Sequence, residues 1–314
     1  MIEAISEADV SLLTWKKLPH PSEVFCYLPK SLVWDLLKRV DRQWLDKPNE
    51  ICCTSVYENT FDFFLPFSEK LMWSPGMVIF RLDMELEAIE MRLIYAFISR
   101  LFGLINNRYG YFFDVIDRGM DYTKQAIPIS MTNAETGYHT DSTAKNYFPD
   151  IVGLLCLTAA EQGGNSLVIN AANLYQYFLQ NHTELCSFLY EPLARDIITP
   201  GDVKSKENIQ NNEFPLFSAD SQGLVFRYMR YWIQSAYTKL QIQEPEAIKK
   251  TLDIIDNYCS RSENTFCFKM KTGDMFYVNN RFLCHNRTAF KNSARPRHLV
   301  RSWINVLRVG SQEG

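Results

Sequence analysis

The stretch HLVRSWINVLRV, residues 298–309, has the composition and the period of a β-strand. It is rich in β-branched and aromatic residues, and alternate side chains of a strand point to opposite faces. With the residue before it, the alternation places four side chains on one face: Arg297, Leu299, Arg301 and Trp303. His298 points to the other face. Two guanidinium groups on an otherwise apolar face are costly to bury without anions, so this strand predicts an anion-binding surface inside the fold.

Further segments share this short, apolar and turn-bounded character: YFFDVID (111–117), IVGLLCL (151–157), SLVIN (166–170), DIIT (196–199), GLVFRYM (223–229), TFCFKMK (265–271) and DMFYVNN (274–280). Helical periodicity predicts four helices, over residues 30–45, 83–106, 171–190 and 244–260. Helices first and strands later predict an α+β protein built on a sandwich or barrel. We expect one domain over residues 1–314, with a helical N-terminal part at about 1–108 and a core at about 109–310. The polar residues 203–222 predict a lid-like insert in that core.

Net charge and cysteine content indicate which partners and which cellular compartment to expect. The 314 residues carry a formal net charge of −3, which favours neither nucleic acid nor an anionic membrane surface as a partner. The N-terminal MIEAISEADV is acidic where a secretory signal would be basic. The eight cysteines form no regular framework, so we expect reduced, mostly core thiols in a cytoplasmic protein.

A possible metal site begins at GYHTDST, residues 137–143. In an extended segment His139 and Asp141 point to the same side, and one imidazole with one carboxylate is part of the facial triad that holds ferrous iron. Another His is needed to complete it. We assign His20 and His182 to the surface, and His298 points away from the arginine-bearing face. His285 remains, because a closed barrel brings its last strands beside its first.

These elements together resemble the iron(II)- and 2-oxoglutarate-dependent dioxygenases of the taurine dioxygenase and clavaminate synthase type. The resemblance covers about residues 125–308 and rests on four elements in order. They are HTD at 139–141, the Gly-Gly-x-Ser turn at 163–166, the segment NNRFLCHNRTAF at 279–290, and Arg-x-x-x-Arg at 297–301. It implies a double-stranded β-helix (a jelly roll, or cupin-like core) with flanking helices.

The resemblance also implies the roles of individual residues. His139, Asp141 and His285 would bind Fe(II) as the catalytic metal centre. Arg297 would pair with the distal carboxylate of 2-oxoglutarate with help from the Ser166 hydroxyl, and Arg301 would lie near the oxoacid end or the substrate. The implied enzyme is an oxidoreductase that consumes O₂ and releases succinate and CO₂. Halogenating relatives lack the carboxylate ligand, so Asp141 favours oxygenation.

The substrate is expected to be a small amino acid or a related carboxylic metabolite. Arg227 in FRYMRYW is a candidate for its carboxylate, with Tyr228 and Asn133 as further lining residues. Hydroxylation is the default outcome, and desaturation, cyclisation or epimerisation stay open. Two other functions also remain open: a zinc hydrolase that uses the same His, Asp and His ligands, and a non-catalytic cupin-like module that binds a small acid.

Overall fold

A computed structural model describes residues 7–51, 58–122, 127–196 and 206–307. The α-helices in these ranges are α1 (Glu7–Leu13), α2 (Pro21–Val24), α3 (Lys30–Leu37), α4 (Glu58–Met72), α5 (Ala88–Phe102), α6 (Ala171–Asn181), α7 (Lys206–Gln210), α8 (Arg230–Leu240) and α9 (Glu246–Ser260). The strands are β1 (Phe25–Tyr27), β2 (Met77–Arg81), β3 (Leu104–Ile105), β4 (Phe113–Ile116), β5 (Ile151–Thr158), β6 (Gln162–Gly163), β7 (Ser166–Asn170), β8 (Leu193–Ala194), β9 (Glu213–Phe214), β10 (Phe217–Asp220), β11 (Gly223–Phe226), β12 (Thr265–Phe268), β13 (Met275–Asn279), β14 (Leu283–Arg287), β15 (Phe290–Lys291) and β16 (His298–Asn305). No helix in these ranges is long and apolar enough to cross a bilayer.

A large sheet and a small sheet enclose the main core. The large sheet runs in the order β1-β2-β13-β5-β16-β3, with β4 also paired to β16, and the small sheet runs β12-β7-β14. Side chains from both sheets meet between them, and the rings of Phe268 on β12 and Phe276 on β13 lie 5.0 Å apart. This is the sandwich of a double-stranded β-helix, with helices packed outside it.

Alternation along the central strands separates two cores. On β5 and β16, Val152 and Leu299 face the small sheet, whereas Leu155 and Val300 face a second core beneath α3, α4 and α5. Helix α5 lies close over β5 because Gly153 has no side chain, since a Cβ there would be 2.6 Å from the Tyr95 hydroxyl oxygen. The face of β16 that carries Leu299 points toward the interior of the jelly roll, as the alternation of the strand predicts.

Most predicted elements are present, with shorter bounds. Strands over 151–157, 166–170, 265–271, 274–280 and 298–309 correspond to β5, β7, β12, β13 and β16. The predicted helix 244–260 is α9, and 83–106 shortens to α5. The other predicted helices each end early and continue as 3-10 turns, Arg42–Leu45 and Thr183–Leu189. Of the predicted strand 196–199, residues 197–199 lie outside the described ranges.

The N-terminal part and the insert both contain strands that the sequence did not predict. The N-terminal part was expected to be helical, but it also contributes β1, β2 and β3 to the large sheet, where β2 pairs with β13. The described part of the insert, residues 206–222, contains α7, β9 and β10. Strand β9 pairs with β8, and β10 pairs with β11, so backbone N–H and C=O groups of this segment form hydrogen bonds between strands.

The cysteines agree with the expectation of free thiols. The six in the described ranges are all free: Cys156, Cys259 and Cys284 are buried, Cys26 and Cys186 half-buried, and Cys267 exposed.

Candidate metal centre and its cavities

Backbone pairing brings two distant histidines together. The His139 N–H donates to the His285 carbonyl and the His285 N–H donates to the His139 carbonyl, both at 2.9 Å. His139 also forms a bridge with Met229. His139 is therefore paired with β14, the edge strand of the small sheet, through an isolated bridge. The chain turns at Asp141 and does not continue as a strand.

The side chains of His139, Asp141 and His285 converge on one point. Their ligand atoms all lie within 4.8 Å of one another. Asp141 Oδ1 is 3.5 Å from His139 Nε2 and 3.7 Å from His285 Nε2. His139 Nδ1 donates to the Gly137 carbonyl at 2.9 Å, which leaves Nε2 as the free ligand atom. The arrangement offers two nitrogens and one carboxylate oxygen on one side of a small space, and the remaining directions are open to two cavities.

The charge states of these groups suit a divalent metal. Burial alone would raise the pKa of Asp141, but the Arg301 charge and the hydrogen bonds from both histidines hold the pKa well below its ordinary value. Burial lowers the pKa of His285, and the neighbouring His139 lowers it further. A carboxylate anion and a neutral imidazole are the forms that bind metal ions.

Asp141 is held by its second oxygen. Trp303 Nε1 donates to Asp141 Oδ2 at 2.6 Å, and Arg301 Nη1 donates to the same oxygen at 3.2 Å. The Asp141 N–H donates to the Asn280 side-chain carbonyl at 2.7 Å. These contacts fix the carboxylate with Oδ1 toward the histidines.

A rear cavity adjoins the three side chains. It has a volume of about 550 Å³ including its open mouth, and Ser166, Arg287, Arg297 and Arg301 are among its lining residues. Arg297 is 6% exposed, and its guanidinium has no hydrogen-bond or ion-pair partner among the described residues. Burial lowers the pKa of Arg297 to about 10. A buried and unpaired cation beside a possible metal site is suited to bind an anionic ligand.

The turn before Ser166 makes room for Arg297. Gly163 has φ +66°, and a Cβ there would lie 2.1 Å from the Ala289 carbonyl oxygen. Gly164 has φ +67°, and its Cβ position is 3.6 Å from Arg297 Nε. Only glycine adopts this backbone without strain at such close approach. The Gly-Gly-x-Ser turn thus starts β7 at the wall of the rear cavity.

A profile of the family described as "Taurine catabolism dioxygenase TauD, TfdA family" matches residues 70–303. The chain belongs to this family. The match contains the three converging side chains together with Arg297 and Arg301, so the family expected from the sequence is confirmed.

Curated relatives of this TauD/TfdA family member include FR-33289 synthase of Streptomyces rubellomurinus, which is 32% identical over 184 residues. That alignment covers 56% of this chain and 51% of the relative. Human gamma-butyrobetaine dioxygenase is 22% identical over 201 residues, covering 59% of this chain and 50% of the relative. The chain spans about half the length of the curated relatives it matches.

Solved structures show the fold of the family over nearly the whole chain. Asparagine oxygenase, in complex with Fe(II), 2S,3S-3-hydroxyasparagine and succinate, superposes with a TM-score of 0.65 at 16% identity, covering 90% of this chain and 93% of that one. The non-heme iron oxygenase OrfP in complex with Fe gives 0.63 at 13% identity, with the same coverage. The expected jelly-roll core with flanking helices is confirmed.

A front cleft of this TauD/TfdA family member opens on the other side of the converging side chains. Its volume is about 870 Å³ including the mouth, and it touches His139, Asp141 and Arg301. Its walls are mostly apolar or aromatic: Tyr109, Phe113, Tyr122, Ile127, Pro128, Ile129, Tyr147, Met229, Tyr231, Trp232 and Trp303. Ser130 lines both cavities, so the segment before the metal motif separates front from rear.

The three substrate residues expected from the sequence do not line either cavity. Arg227 donates to the Lys145 carbonyl at 2.8 Å and lies between the rings of Phe148 and Phe214. Tyr228 is 1% exposed in the core and donates its hydroxyl to Asp256. Asn133 is exposed, and its carbonyl accepts from the Phe290 N–H. Arg227 and Tyr228 follow the end of β11 at Phe226, where strand alternation no longer determines which way a side chain points. A role for these three residues in substrate binding stays a prediction.

Arg287 and Trp303 are the site residues whose roles the sequence analysis missed. Arg287 lines the rear cavity and donates to the carbonyls of Ser130, Thr132 and Ala134, which ties the segment between the cavities to β14. Burial and, to a smaller extent, the nearby Arg297 charge lower the pKa of Arg287 to about 9. A signal was available, because Arg287 is two residues after His285 on the same strand face.

Proposed function

We propose that this chain is an Fe(II)- and 2-oxoglutarate-dependent oxygenase that oxidises an unactivated C–H bond of an amino acid or a related carboxylic acid. Hydroxylation is the expected outcome, with desaturation or cyclisation as variants, and succinate and CO₂ as co-products. The observation that carries the proposal is the convergence of His139, Asp141 and His285 beside a cavity that contains the buried, unpaired Arg297.

The donor set fits ferrous iron. Two imidazoles and one carboxylate on one side of a metal are the facial triad of non-heme iron oxygenases, and they leave positions for a co-substrate and O₂. His139 Nε2, His285 Nε2 and Asp141 Oδ1 would hold the ion. The Gly137 carbonyl would keep the His139 ring in place, and Trp303 and Arg301 would keep the Asp141 carboxylate in place.

The rear cavity fits 2-oxoglutarate. Arg297 would pair with the carboxylate that is distant from the metal, and the Ser166 hydroxyl would donate to the same group. The planar guanidinium matches a carboxylate with two parallel hydrogen bonds, and burial strengthens that pairing. When bound, iron, 2-oxoglutarate and O₂ supply the oxidation of the C–H bond. The protein positions the substrate in the front cleft, and the apolar walls exclude water there.

The relatives support an amino acid or a related acid as the substrate. One structural neighbour is named asparagine oxygenase, and a variant of OrfP was solved in complex with (3S)-hydroxy-L-Arg. In this chain Arg301 reaches the front cleft as well as the rear cavity, so a carboxylate in the cleft would lie near a cation.

The two rival functions explain less of the structure. A zinc ion would accept the same three ligands, and a cupin-like module would accept a small acid. Neither gives a reason for a buried arginine pointing into a separate cavity behind the metal ligands. No observation favours either one.

An anaerobic optical titration tests this proposal. Fe(II) and 2-oxoglutarate added to the protein should give a weak metal-to-ligand charge-transfer band in the visible. The band should need a much higher 2-oxoglutarate concentration in Arg297→Ala, because the cation that pairs with the distal carboxylate is lost. Arg261→Ala is the control, because Arg261 lines neither cavity and its guanidinium contacts Asn257 and Tyr177 instead. Absence of the band in the wild-type protein, or an unchanged titration in Arg297→Ala, would refute the proposal.

Two coarser expectations belong to the same proposal. We propose that residues 1–314 act as one oxygenase domain, which is supported by the pairing of β2 from the N-terminal part with β13 from the core. We also propose a cytoplasmic location, which is supported by the six free cysteines of the described ranges. Cell fractionation with an antibody against the chain tests the location.

A further inference from the structure

The described side chains that line the front cleft carry more positive than negative charge. Among the described residues that line it, Asp141 is the only carboxylate, and Arg301 and Lys145 are cationic. Asp141 is already bonded to Trp303 and Arg301 and faces the two histidines. A substrate ammonium group needs an anion or several carbonyl acceptors to replace its water. The described side chains of the cleft therefore leave no carboxylate for a substrate ammonium group.

Arg301 has unused capacity for an anion. Its guanidinium makes one hydrogen bond, from Nη1 to Asp141, and no other is found within the described part of the chain. A guanidinium has five N–H donors, and its planar fork suits carboxylates and phosphates. Because Arg297 lies in the rear cavity, Arg301 is available to the molecule in the front cleft.

Three of the aromatic rings on the cleft wall already lie beside arginine side chains of the protein. The Arg301 guanidinium lies 4.9 Å from the centre of the Trp303 ring and 5.3 Å from that of Phe113. The Arg108 guanidinium lies 4.2 Å from the centre of the Tyr147 ring. These rings already interact with the cations of the protein itself. An ammonium ion beside them would also be repelled by two guanidinium groups.

We infer that the substrate is an organic anion without a free ammonium group, that is, an acid whose nitrogen, where present, is acylated or otherwise uncharged. This inference rests on the proposed oxygenase function and refines its substrate class. Arg301 binds the acidic group, and the aromatic and aliphatic walls bind the rest of the molecule.

Ligands with the same leucine side chain test the sign of the charge. The anaerobic Fe(II)·2-oxoglutarate complex is titrated with L-leucine, N-acetyl-L-leucine and L-leucine methyl ester, and the comparison is repeated over a panel of free and N-acetylated amino acids. Binding is measured by the shift of the visible band and, independently, by the rise in melting temperature. The acetylated anions should bind more tightly than the free amino acids by roughly ten-fold or more, and the methyl esters should bind least.

A charge introduced into the cleft wall should reverse this preference. Tyr231 is exposed on the cleft wall, so Tyr231→Glu adds a carboxylate with little risk to the fold. It should favour the free amino acids relative to their acetylated forms, whereas the uncharged Tyr231→Gln should keep the wild-type order.

Two results would overturn the inference while leaving the oxygenase proposal intact. One is tighter binding of the free amino acids than of the acetylated ones. If the exposed Asp121, which precedes the cleft-lining Tyr122, supplies the anion, this preference should be lost in Asp121→Asn. The other is no binding across the acetylated panel. In both cases the visible band still forms without substrate, whereas failure of the oxygenase proposal would abolish the band itself.

Discussion

The two oxygens of Asp141 are in different environments. Oδ1 faces His139 and His285, and Oδ2 accepts hydrogen bonds from Trp303 and Arg301. A carboxylate held in this way offers one oxygen to a metal and cannot easily rotate to offer the other. Groups that orient a ligand commonly affect metal affinity by about 10–100-fold.

Trp303→Phe should therefore weaken Fe(II) binding while leaving the fold intact. Phenylalanine keeps an aromatic ring in the cleft but loses the N–H that donates to Asp141. We expect an increase of about ten-fold in the Kd for Fe(II), measured by anaerobic titration. Trp232→Phe is the matched control, because Trp232 lines the same cleft and its indole makes no bond to Asp141. Equal affinities in the two variants would contradict this role of Trp303.

Among individual residues, the sequence predicted those that are recognised by their side-chain type and by their spacing within a motif. His139, Asp141, His285, Arg297 and Ser166 all lie where their motifs indicate, although their roles remain proposals. The expected substrate residues Arg227, Tyr228 and Asn133 lie outside both cavities, because the sequence does not determine which way these side chains point. Tyr228 points into the core at Asp256, and only the packing of α9 decides that.

Among the elements, the insert after residue 205 is tied to the core by one buried cation. Arg195 is fully buried and donates to the carbonyls of Leu193, Phe214, Pro215 and Arg227. Burial and, to a smaller extent, the Arg227 charge lower the pKa of Arg195 to about 9. The Tyr228 carbonyl in turn accepts from the Thr140 N–H at 3.0 Å, so the insert is connected to the metal motif.

Arg195→Met should loosen this insert. Methionine fills a similar volume but leaves four carbonyls without their donor, which should cost about 2–5 kcal/mol of unfolding free energy. Urea denaturation measures the loss, and hydrogen exchange should show faster exchange over residues 213–229. Arg261→Met, which removes a half-buried arginine that bonds to Asn257 and lies over the Tyr177 ring, should cost much less stability. Unchanged exchange in Arg195→Met would show that the insert is held by other contacts.

Elements were predictable where a pattern was long or strongly alternating. Helix α9 and strands β5 and β16 are examples, since their patterns extend over eight or more residues. Strand β2, with the sequence MVIFR, was missed because a short apolar run does not distinguish a strand from a buried helix. Its assignment depends on pairing with β13, which is nearly two hundred residues later in the chain.

In the whole molecule, the metal site joins parts of the chain that are far apart in sequence. The 137–143 segment, β14 and β16 each contribute to it, so a bound ion and co-substrate should resist separation of these parts. A ligand present at a hundred times its Kd stabilises a protein by about 2.7 kcal/mol.

The protein should therefore melt at a higher temperature with Mn(II) and 2-oxoglutarate together, by about 4–8 °C. Mn(II) is chosen because it binds similar ligands without iron oxidation. Scanning fluorimetry measures the shift, which should disappear in His139→Ala and on chelation. His20→Ala is the control, since His20 is exposed at the start of α2. A full shift in His139→Ala would place the ion elsewhere.

The architecture of the whole molecule was predictable because its motifs occur in a fixed order. The His-x-Asp pair, the Gly-Gly-x-Ser turn, the distant His and the Arg-x-x-x-Arg strand define which strands must meet. The charge balance of the front cleft was not predictable, because it depends on which side chains of several loops reach the same space.

X-ray diffraction from anaerobic crystals grown with Fe(II) and 2-oxoglutarate, collected at the iron absorption edge, tests the central claim most directly. We predict one strong anomalous peak bonded to His139 Nε2, His285 Nε2 and Asp141 Oδ1, with the distal carboxylate of 2-oxoglutarate paired to Arg297. An iron peak that lacks any of these three ligands, or 2-oxoglutarate bound away from Arg297, would contradict it.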